Sequence, residues 1–412
     1  MKKNYLFIVL SICLFNCAIY SRPIAELIDE KQDILKPFMP DLGDSDDAKK
    51  SLILSFSGDI MAHDINFKMK DYSKIYEDVR EFLLNDGVSF GNIEMPVCDE
   101  LPLSTYPRFN VHSSYLKAAI EAGFDAFSFA NNHTNDQYEK GIKGTISSFD
   151  RLQKEFFYKN RRLYASGVKA ESTEDLKPVL IEKNGFRILF LAITEILNSY
   201  DNSKRFVYYS SVKESEVLAE KLKKMREETP CDLFVLSVHV NEKEYYRGVL
   251  PEKRERFKLF AKAGVDIIWA NHPHVVQDWE EFTIEEDLIL PPSATSDIPT
   301  KVKPPLKLRR KAFAMYSLGN FISGQRRKPN YQNPTYYWEY TGDTVLMQLK
   351  IKKEGKMGIA KIEVQPVLLT VYNGEDGIVV KQFKPEWINT LSPIEQNYYN
   401  TRLKLMKETF IK

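Results

Sequence analysis

Residues 263–274 read Ala263-Gly264-Val265-Asp266-Ile267-Ile268-Trp269-Ala270-Asn271-His272-Pro273-His274. The stretch divides into three parts. A helical segment, Arg254 to Ala263, is closed by Gly264, which supplies a left-handed C-terminal cap. An apolar run, Val265 to Ala270, reads as a buried strand. The strand then ends in two imidazoles held two residues apart by a proline. Upstream, Leu116 to Ala122 is closed by Gly123, and Asp125 to Ala130 leads to Asn131-Asn132-His133. The echo of Ala122-Gly123-Phe124-Asp125 in Ala263-Gly264-Val265-Asp266 suggests two similar half-units.

Other strands end in the same way. Leu52 to Phe56 runs into Gly58-Asp59, Leu233 to Val238 into His239, and Ala312 to Leu318 into Gly319-Asn320. Alternating strands and helices with polar side chains past the strand ends predict an α/β fold with its ligands along one sheet edge. Thr344 to Ile351 and Ile359 to Gln365 alternate around Glu354-Gly355 and predict a hairpin that completes a second sheet.

The chain has 412 residues, 43% hydrophobic and 28% charged, which is globular composition. Lys+Arg of 58 against Asp+Glu of 57 excludes a bulk basic footprint, so nucleic acid is not an expected partner. The four cysteines, Cys13, Cys17, Cys98 and Cys231, show no zinc or disulfide spacing. Cys98 and Cys231 lie in apolar surroundings and read as buried structural thiols. His63, His112, His133, His239, His272 and His274 are all the histidines, and four of the six follow strands.

Lys2-Lys3 and an apolar run from Leu6 to Phe15 read as a secretory signal, since about ten apolar residues cannot span a bilayer. Leu14-Phe15-Asn16-Cys17 resembles a relaxed bacterial lipobox, so residues 1–17 are read as a lipoprotein-type signal ending at the cysteine to be acylated. Residues 18–50, with Pro23, Pro37, Pro40 and Asp44-Ser45-Asp46-Asp47, read as a tether. A domain over 51–367 and a C-terminal extension over 368–412, helical from Trp387, complete the expected organisation. The expected location is the bacterial cell envelope, lipid-anchored, periplasmic or on the cell surface.

Asp59, Glu94, Asn132, His239, His272 and His274 offer three imidazoles, two carboxylates and an amide oxygen. That set suffices for two divalent ions sharing a carboxylate, about 3.5–4 Å apart, which activate water and stabilise an oxyanion leaving group. His133 adjoins a ligand position and is the candidate acid, with Asp136 to orient it. Arg108 is a candidate contact for an anionic substrate.

Five motifs carry a family resemblance. Gly58-Asp59-Ile60-Met61, Gly91-Asn92-Ile93-Glu94-Met95-Pro96-Val97, Ala130-Asn131-Asn132-His133 with Asp136 and Gly141, His272-Pro273-His274-Val275-Val276-Gln277 and Tyr316-Ser317-Leu318-Gly319-Asn320-Phe321 occur in that order. Together they resemble the signature of CapA-type poly-γ-glutamate capsule biosynthesis proteins, within the calcineurin-like metallophosphoesterase superfamily. The resemblance runs from Leu52 to Val367. It implies a four-layer α/β fold, a β-sandwich flanked by helices. It also implies one or two divalent ions (Mn, Fe, Zn or Mg) on Asp59, Glu94, Asn132, His239, His272 and His274, with His133 as proton donor.

The implied function is hydrolysis of the phosphoesterase type in capsule or envelope polymer metabolism. An anionic polymer or phosphoester would be the substrate, with capsule-synthesis proteins and the membrane as partners. A non-enzymatic lipoprotein that binds polymer or partners is the alternative.

Two departures stand out. Met61 occupies the place of the superfamily's first-motif histidine, an absence that CapA-like sequences share. After His239 the run is Val240-Asn241-Glu242-Lys243-Glu244-Tyr245, where CapA-like sequences often have Trp-Gly-x-Glu-Tyr, so the glutamate register is open. The stretch from Gln277 to Tyr316, with Pro291, Pro292, Pro304, Pro305 and the Lys307 to Lys311 basic run, reads as a solvated insertion or a loop over the site. Tyr331, Tyr336, Tyr337, Trp338 and Tyr340 read as packing against the sheet, and His63 and His112 as surface or packing residues.

Overall fold

The structure is a computed structural model that describes residues 25–27, 51–288, 306–354, 359–375 and 377–410. Its frame is two β-sheets. The first runs in the order β1 (Ala25–Leu27), β11 (Leu306–Met315), β9 (Ile267–Asn271), β8 (Leu233–His239), β7 (Phe186–Thr194), β6 (Val179–Lys183), with β10 (Trp279–Leu288) also on β11. The second runs β15 (Gly377–Gln382), β14 (Ile359–Gly374), β13 (Asp343–Glu354), β2 (Ser51–Ile60), β3 (Val88–Ile93), β4 (Ala126–Ser128), β5 (Tyr164–Ser166), with β12 (Asn320–Ile322) on β2.

Each sheet carries a parallel block. β11, β9, β8 and β7 are parallel in the first, and β2, β3, β4 and β5 in the second. Strands of such blocks are apolar on both faces because both faces are covered. On β8, Leu233 and Val235 point into the core between the sheets, while Phe234, Leu236 and Val238 point outward. On β9, Ile267 and Trp269 point inward, and Ile268 and Ala270 outward.

The inner core joins the two sheets, with Leu54, Phe56 and Phe90 from one and Phe190, Val235 and Trp269 from the other. Trp269 crosses it, its indole N–H donating to the carbonyl of Ser57 at 2.8 Å. Two outer cores lie beneath helices. On the second sheet these are α3 (Ser113–Ala122) and α4 (Tyr138–Phe157), which follow the short α1 (Asp64–Phe67) and α2 (Arg80–Leu84). On the first they are α5 (Ser215–Glu228) and α6 (Pro251–Lys262). The layers are helix, sheet, sheet, helix: the expected α/β sandwich flanked by helices.

The two half-units match in atomic detail. Asp125 N–H donates to the Ser89 carbonyl at 3.0 Å, and its carboxylate accepts from Ser89 N–H at 3.3 Å. Asp266 makes the same pair of bonds with Phe234, at 2.9 and 2.7 Å. Ser89 and Phe234 are each the second residue of their strand. Gly123 and Gly264 precede these aspartates with φ of 135° and 102°, in the region that favours glycine.

Three boundaries differ from expectation. Residues 277–316 do not form a solvated insertion at their described positions, because β10 and β11 pair antiparallel along ten positions from Trp279–Met315 to Leu288–Leu306. Within the basic run, Arg310 is fully buried against Asp266, and Lys311 pairs with Glu281 at 2.8 Å. Pro291, Pro292, Pro304 and Pro305 lie outside the described residues.

The extension expected from residue 368 is continuous with the domain. β14 runs through that position, and β15 pairs on it. α7 (Pro385–Ile388) and α8 (Pro393–Phe410) follow, and Tyr398, Tyr399, Met406 and Phe410 of α8 join the inner core. Ala25–Leu27, inside the expected tether, is a strand on β11. The rest of that tether, the signal segment and Cys17 lie outside the described residues.

Candidate metal centre

The matched half-units bring their polar side chains to one edge. From Ser89 and Phe234 the strands advance by the same five residues to Glu94 (89→94) and His239 (234→239). From Asp125 and Asp266 the chain advances by eight to His133 (125→133) and His274 (266→274). Asp59 reaches the same edge from β2, where it pairs in register with Asn92.

All six residues expected as ligands are buried and converge there. His239 Nε2 lies 2.9 Å from Asn132 Oδ1, 3.2 Å from His272 Nδ1 and 3.6 Å from Glu94 Oε1. His274 Nδ1 lies 3.4 Å from Asp59 Oδ2, and its Nε2 lies 3.7 Å from Glu94 Oε1. Glu94 thus belongs to two donor groups, Glu94–His239–His272 and Asp59–Glu94–His274, in each of which the ligand atoms fall within 4.8 Å of one another.

The supports are specific. Asn92 donates to Asp59 Oδ1 at 2.8 Å. Asn320 Oδ1 stands 3.0 Å from His274 Nδ1, and its amide nitrogen holds the carbonyls of His274 and Thr341. With Nδ1 donating to that oxygen, Nε2 of His274 is left as the donor atom facing Glu94. Asn131 takes no place among the donors: its side chain ties Ile93 O to the N–H of His133. His272 and His274 have φ of 106° and 58°, a conformation that costs non-glycine residues energy and persists where the surroundings enforce it.

The electrostatics match a cation. Both oxygens of Glu94 are buried and accept no hydrogen bond, and Nδ1 of His239 is likewise without a partner. Burial, and next the neighbouring Asp59, push the Glu94 carboxyl well above the usual range. Burial and the adjacent imidazoles hold His239 well below its ordinary value, and His272 down at about 4. Burial opposes the charge on His274, but Asp59, Glu244 and Asn320 together outweigh it and the net shift is upward. Two imidazoles held neutral, His239 and His272, facing a carboxylate with no hydrogen-bond donor are the donor chemistry of a divalent metal site.

His133 stands at the edge of this centre. Its Nδ1 is 2.6 Å from Asp136 Oδ2, which also accepts from Phe109 N–H at 2.8 Å. Phe109 packs edge-on against its ring at 4.7 Å between centroids. Arg108, next in sequence, is exposed and lies 4.9 Å over the Tyr138 ring.

His63 is buried and accepts from Gly324 N–H at 3.0 Å, so packing accounts for it. Half-buried His112 lies 2.9 Å from the Leu101 carbonyl. The aromatic cluster divides. Tyr331 and Trp338 pack, while Tyr336 and Tyr337 are 42% and 60% exposed and do not follow the packing expectation.

The open glutamate register is settled by packing. Glu242 is buried against Lys253 Nζ at 2.7 Å, whereas Glu244 reaches the centre as a third group with His272 and His274. The sequence reading left two glutamates two residues apart unresolved; the one signal that could have found the second is Tyr245 directly after Glu244, which matches the Glu-Tyr end of the CapA-like pattern.

Residues 53–325 match the family described as bacterial capsule synthesis protein PGA_cap. The chain belongs to that family. It is 26% identical over 320 residues to the capsule biosynthesis protein CapA of Bacillus anthracis, covering 74% of this chain and 65% of that protein, just under two thirds of its length. It is 23% identical over 323 residues to the PGA biosynthesis protein CapA of Bacillus subtilis (strain 168), covering 77% of this chain and 71% of that one.

A solved structure of a hypothetical protein from Thermus thermophilus aligns over 77% of this chain and 98% of its own. Its TM-score of 0.38 at 12% identity is too loose to build on. Among the described residues of this PGA_cap family member, no helix is long and apolar enough to cross a membrane.

Proposed function

We propose that this chain is a metal-dependent hydrolase of the phosphoesterase type, acting in capsule or envelope polymer metabolism. The observation that carries the reading is Glu94: a fully buried carboxylate with no hydrogen-bond donor, faced by His239, His272 and His274. Asp59, Glu94, Asn132 and the three imidazoles would hold one or two divalent ions (Mn, Fe, Zn or Mg). Such ions supply Lewis acidity and activate water.

The remaining work belongs to the chain. Asp136 accepts from Nδ1 of His133 and so fixes the ring's orientation and tautomer. The proton carried on the other ring nitrogen is then available to a leaving oxygen. Asp136 also steadies the positive charge on the ring while that proton is held. Arg108, one residue from Phe109, would meet an anionic ester or polymer chain.

The test is turnover by metal-loaded and metal-free protein on a panel of alkyl and aryl phosphoesters and γ-glutamyl polymer. Metal-dependent hydrolysis of any member supports the reading. Binding of polymer without turnover supports the alternative, a non-enzymatic polymer- or partner-binding lipoprotein. That alternative draws on Met61, which offers no imidazole where the superfamily's first motif has a histidine.

Lys2-Lys3, the short apolar run and Cys17 support lipid anchoring in the bacterial envelope, periplasmic or on the cell surface. Other capsule-synthesis proteins would then be partners on the same membrane. Mass spectrometry should find acyl chains on Cys17; an unmodified mature N-terminus beyond Cys17 would remove the anchor.

A further inference from the structure

The three donor groups share members in pairs. Glu94 stands in the first and second, His272 in the first and third, and His274 in the second and third. Asp59, His239 and Glu244 each belong to one group, and Glu244 is the only half-buried donor among them. It comes from the connection between β8 and α6, an element that contributes nothing else to the cluster.

That connection is built to hold one position. On the near side, Asn241 N–H donates to Glu195 at 3.0 Å, and Glu195 is gripped by Arg256 at 2.7 Å. Glu242 is held by Lys253, whose ammonium also donates to Gln277 at 2.8 Å and to the Tyr316 carbonyl at 2.7 Å. On the far side, the Gln277 amide donates to the Tyr246 carbonyl at 2.7 Å. Between these anchors, Tyr245 N–H donates to the Pro273 carbonyl at 2.8 Å. Pro273 lies between the two imidazoles that Glu244 joins.

Tyr245 itself has φ of 64°, a conformation a bulky residue keeps only when its neighbours enforce it. The anchors on both sides therefore fix Glu244 against the His272-Pro273-His274 turn. Met61, meanwhile, stands two residues after Asp59, at the place of the superfamily's first-motif histidine. Met61 is 2% exposed and packs in the apolar core beneath α3, so its thioether is not among the donors.

We propose that Glu244 is a metal ligand, supplying through the His272–His274 pair the donor that Met61 does not provide. The inference rests on the metal centre of the proposed function and deepens it. A carboxylate in place of an imidazole also favours harder ions, so Mn should bind better relative to Zn than at an imidazole-rich centre.

The experiment is Mn and Zn binding to metal-free full-length protein, by equilibrium dialysis with elemental analysis. Wild type, Glu244→Gln, Glu244→Asp and Lys243→Ala are compared. Glu244→Gln should weaken Mn binding by more than the roughly 10–100-fold typical of losing an outer hydrogen-bond partner of a ligand. Glu244→Asp should recover part of that loss, and Lys243→Ala should bind as wild type. Wild-type affinity in Glu244→Gln overturns the inference and leaves the metal centre standing. A loss shared equally by Lys243→Ala overturns it too, since the loop and not the carboxylate would then be responsible. Wild type that binds neither ion overturns both.

Discussion

The proposed ligand and acid roles are separable at His272 and His133. His272 lies in the donor cluster, whereas His133 is tied to Asp136 at the edge. His133→Asn should keep its metal, because Asn132 and not His133 meets His239. Its turnover should fall by about 10²–10⁴-fold, the scale of losing a general acid, and fall less for aryl esters than for alkyl esters. Metal analysis beside kinetics on the two ester types checks this. His133→Asn that loses metal as fully as His272→Ala would make His133 a ligand or a support.

Asp86 offers a pH test away from the centre. Burial pushes its carboxyl up to about 7, against the pull of the Ser55 and Ser89 hydroxyls. An unfolded aspartate titrates near ~3.9, so between about 4 and 7 the folded protein keeps a proton that the unfolded chain has released. The stability this group contributes is complete below that window and is lost as pH rises through about 7. Melting temperature from pH 4 to 8 should therefore fall more steeply in wild type than in Asp86→Asn. Parallel curves would contradict the assignment.

Elements show how far the sequence could be read. The strands that end in Asp59, Asn132, His239 and His272 were legible because their apolar runs are long and glycine marks the helix ends before β4 and β9. β10 and β11 were not. Glu280, Glu281, Glu285, Lys311 and Arg310 look like a solvated face until pairing sets Glu281 beside Lys311 and Asp266 beside Arg310. A charge run does not announce a partner that lies far along the chain.

The same reason hid the end of the domain. Asp343 at the start of β13 is buried between Arg326 and Arg402 of α8, and no local pattern signals that triad. Asp343→Asn strands two buried guanidinium groups and should cost about 3–5 kcal/mol in urea unfolding. A loss under about 1 kcal/mol would mean that α8 does not depend on this link.

At the scale of the whole molecule, two sheets present equivalent strand ends to one edge, and the cluster forms where the halves meet. Each half alone supplies an incomplete set. Asp59, Glu94 and Asn132 come from the second sheet's half, and His239, His272 and His274 from the first. That division is why six residues spread from 59 to 274 read as one constellation only when the strand–helix alternation is followed.

The chain belongs to the PGA_cap family, and the chemistry proposed for this edge is the account's central claim. Elemental analysis of purified wild-type protein beside Glu94→Ala tests it most directly. Wild type should carry one or two divalent ions per chain, and Glu94→Ala, folded by circular dichroism, should carry fewer, because Glu94 serves both of the principal donor groups. Wild type that neither retains nor takes up Mn, Fe, Zn or Mg, or Glu94→Ala that holds as much metal as wild type, would contradict the account.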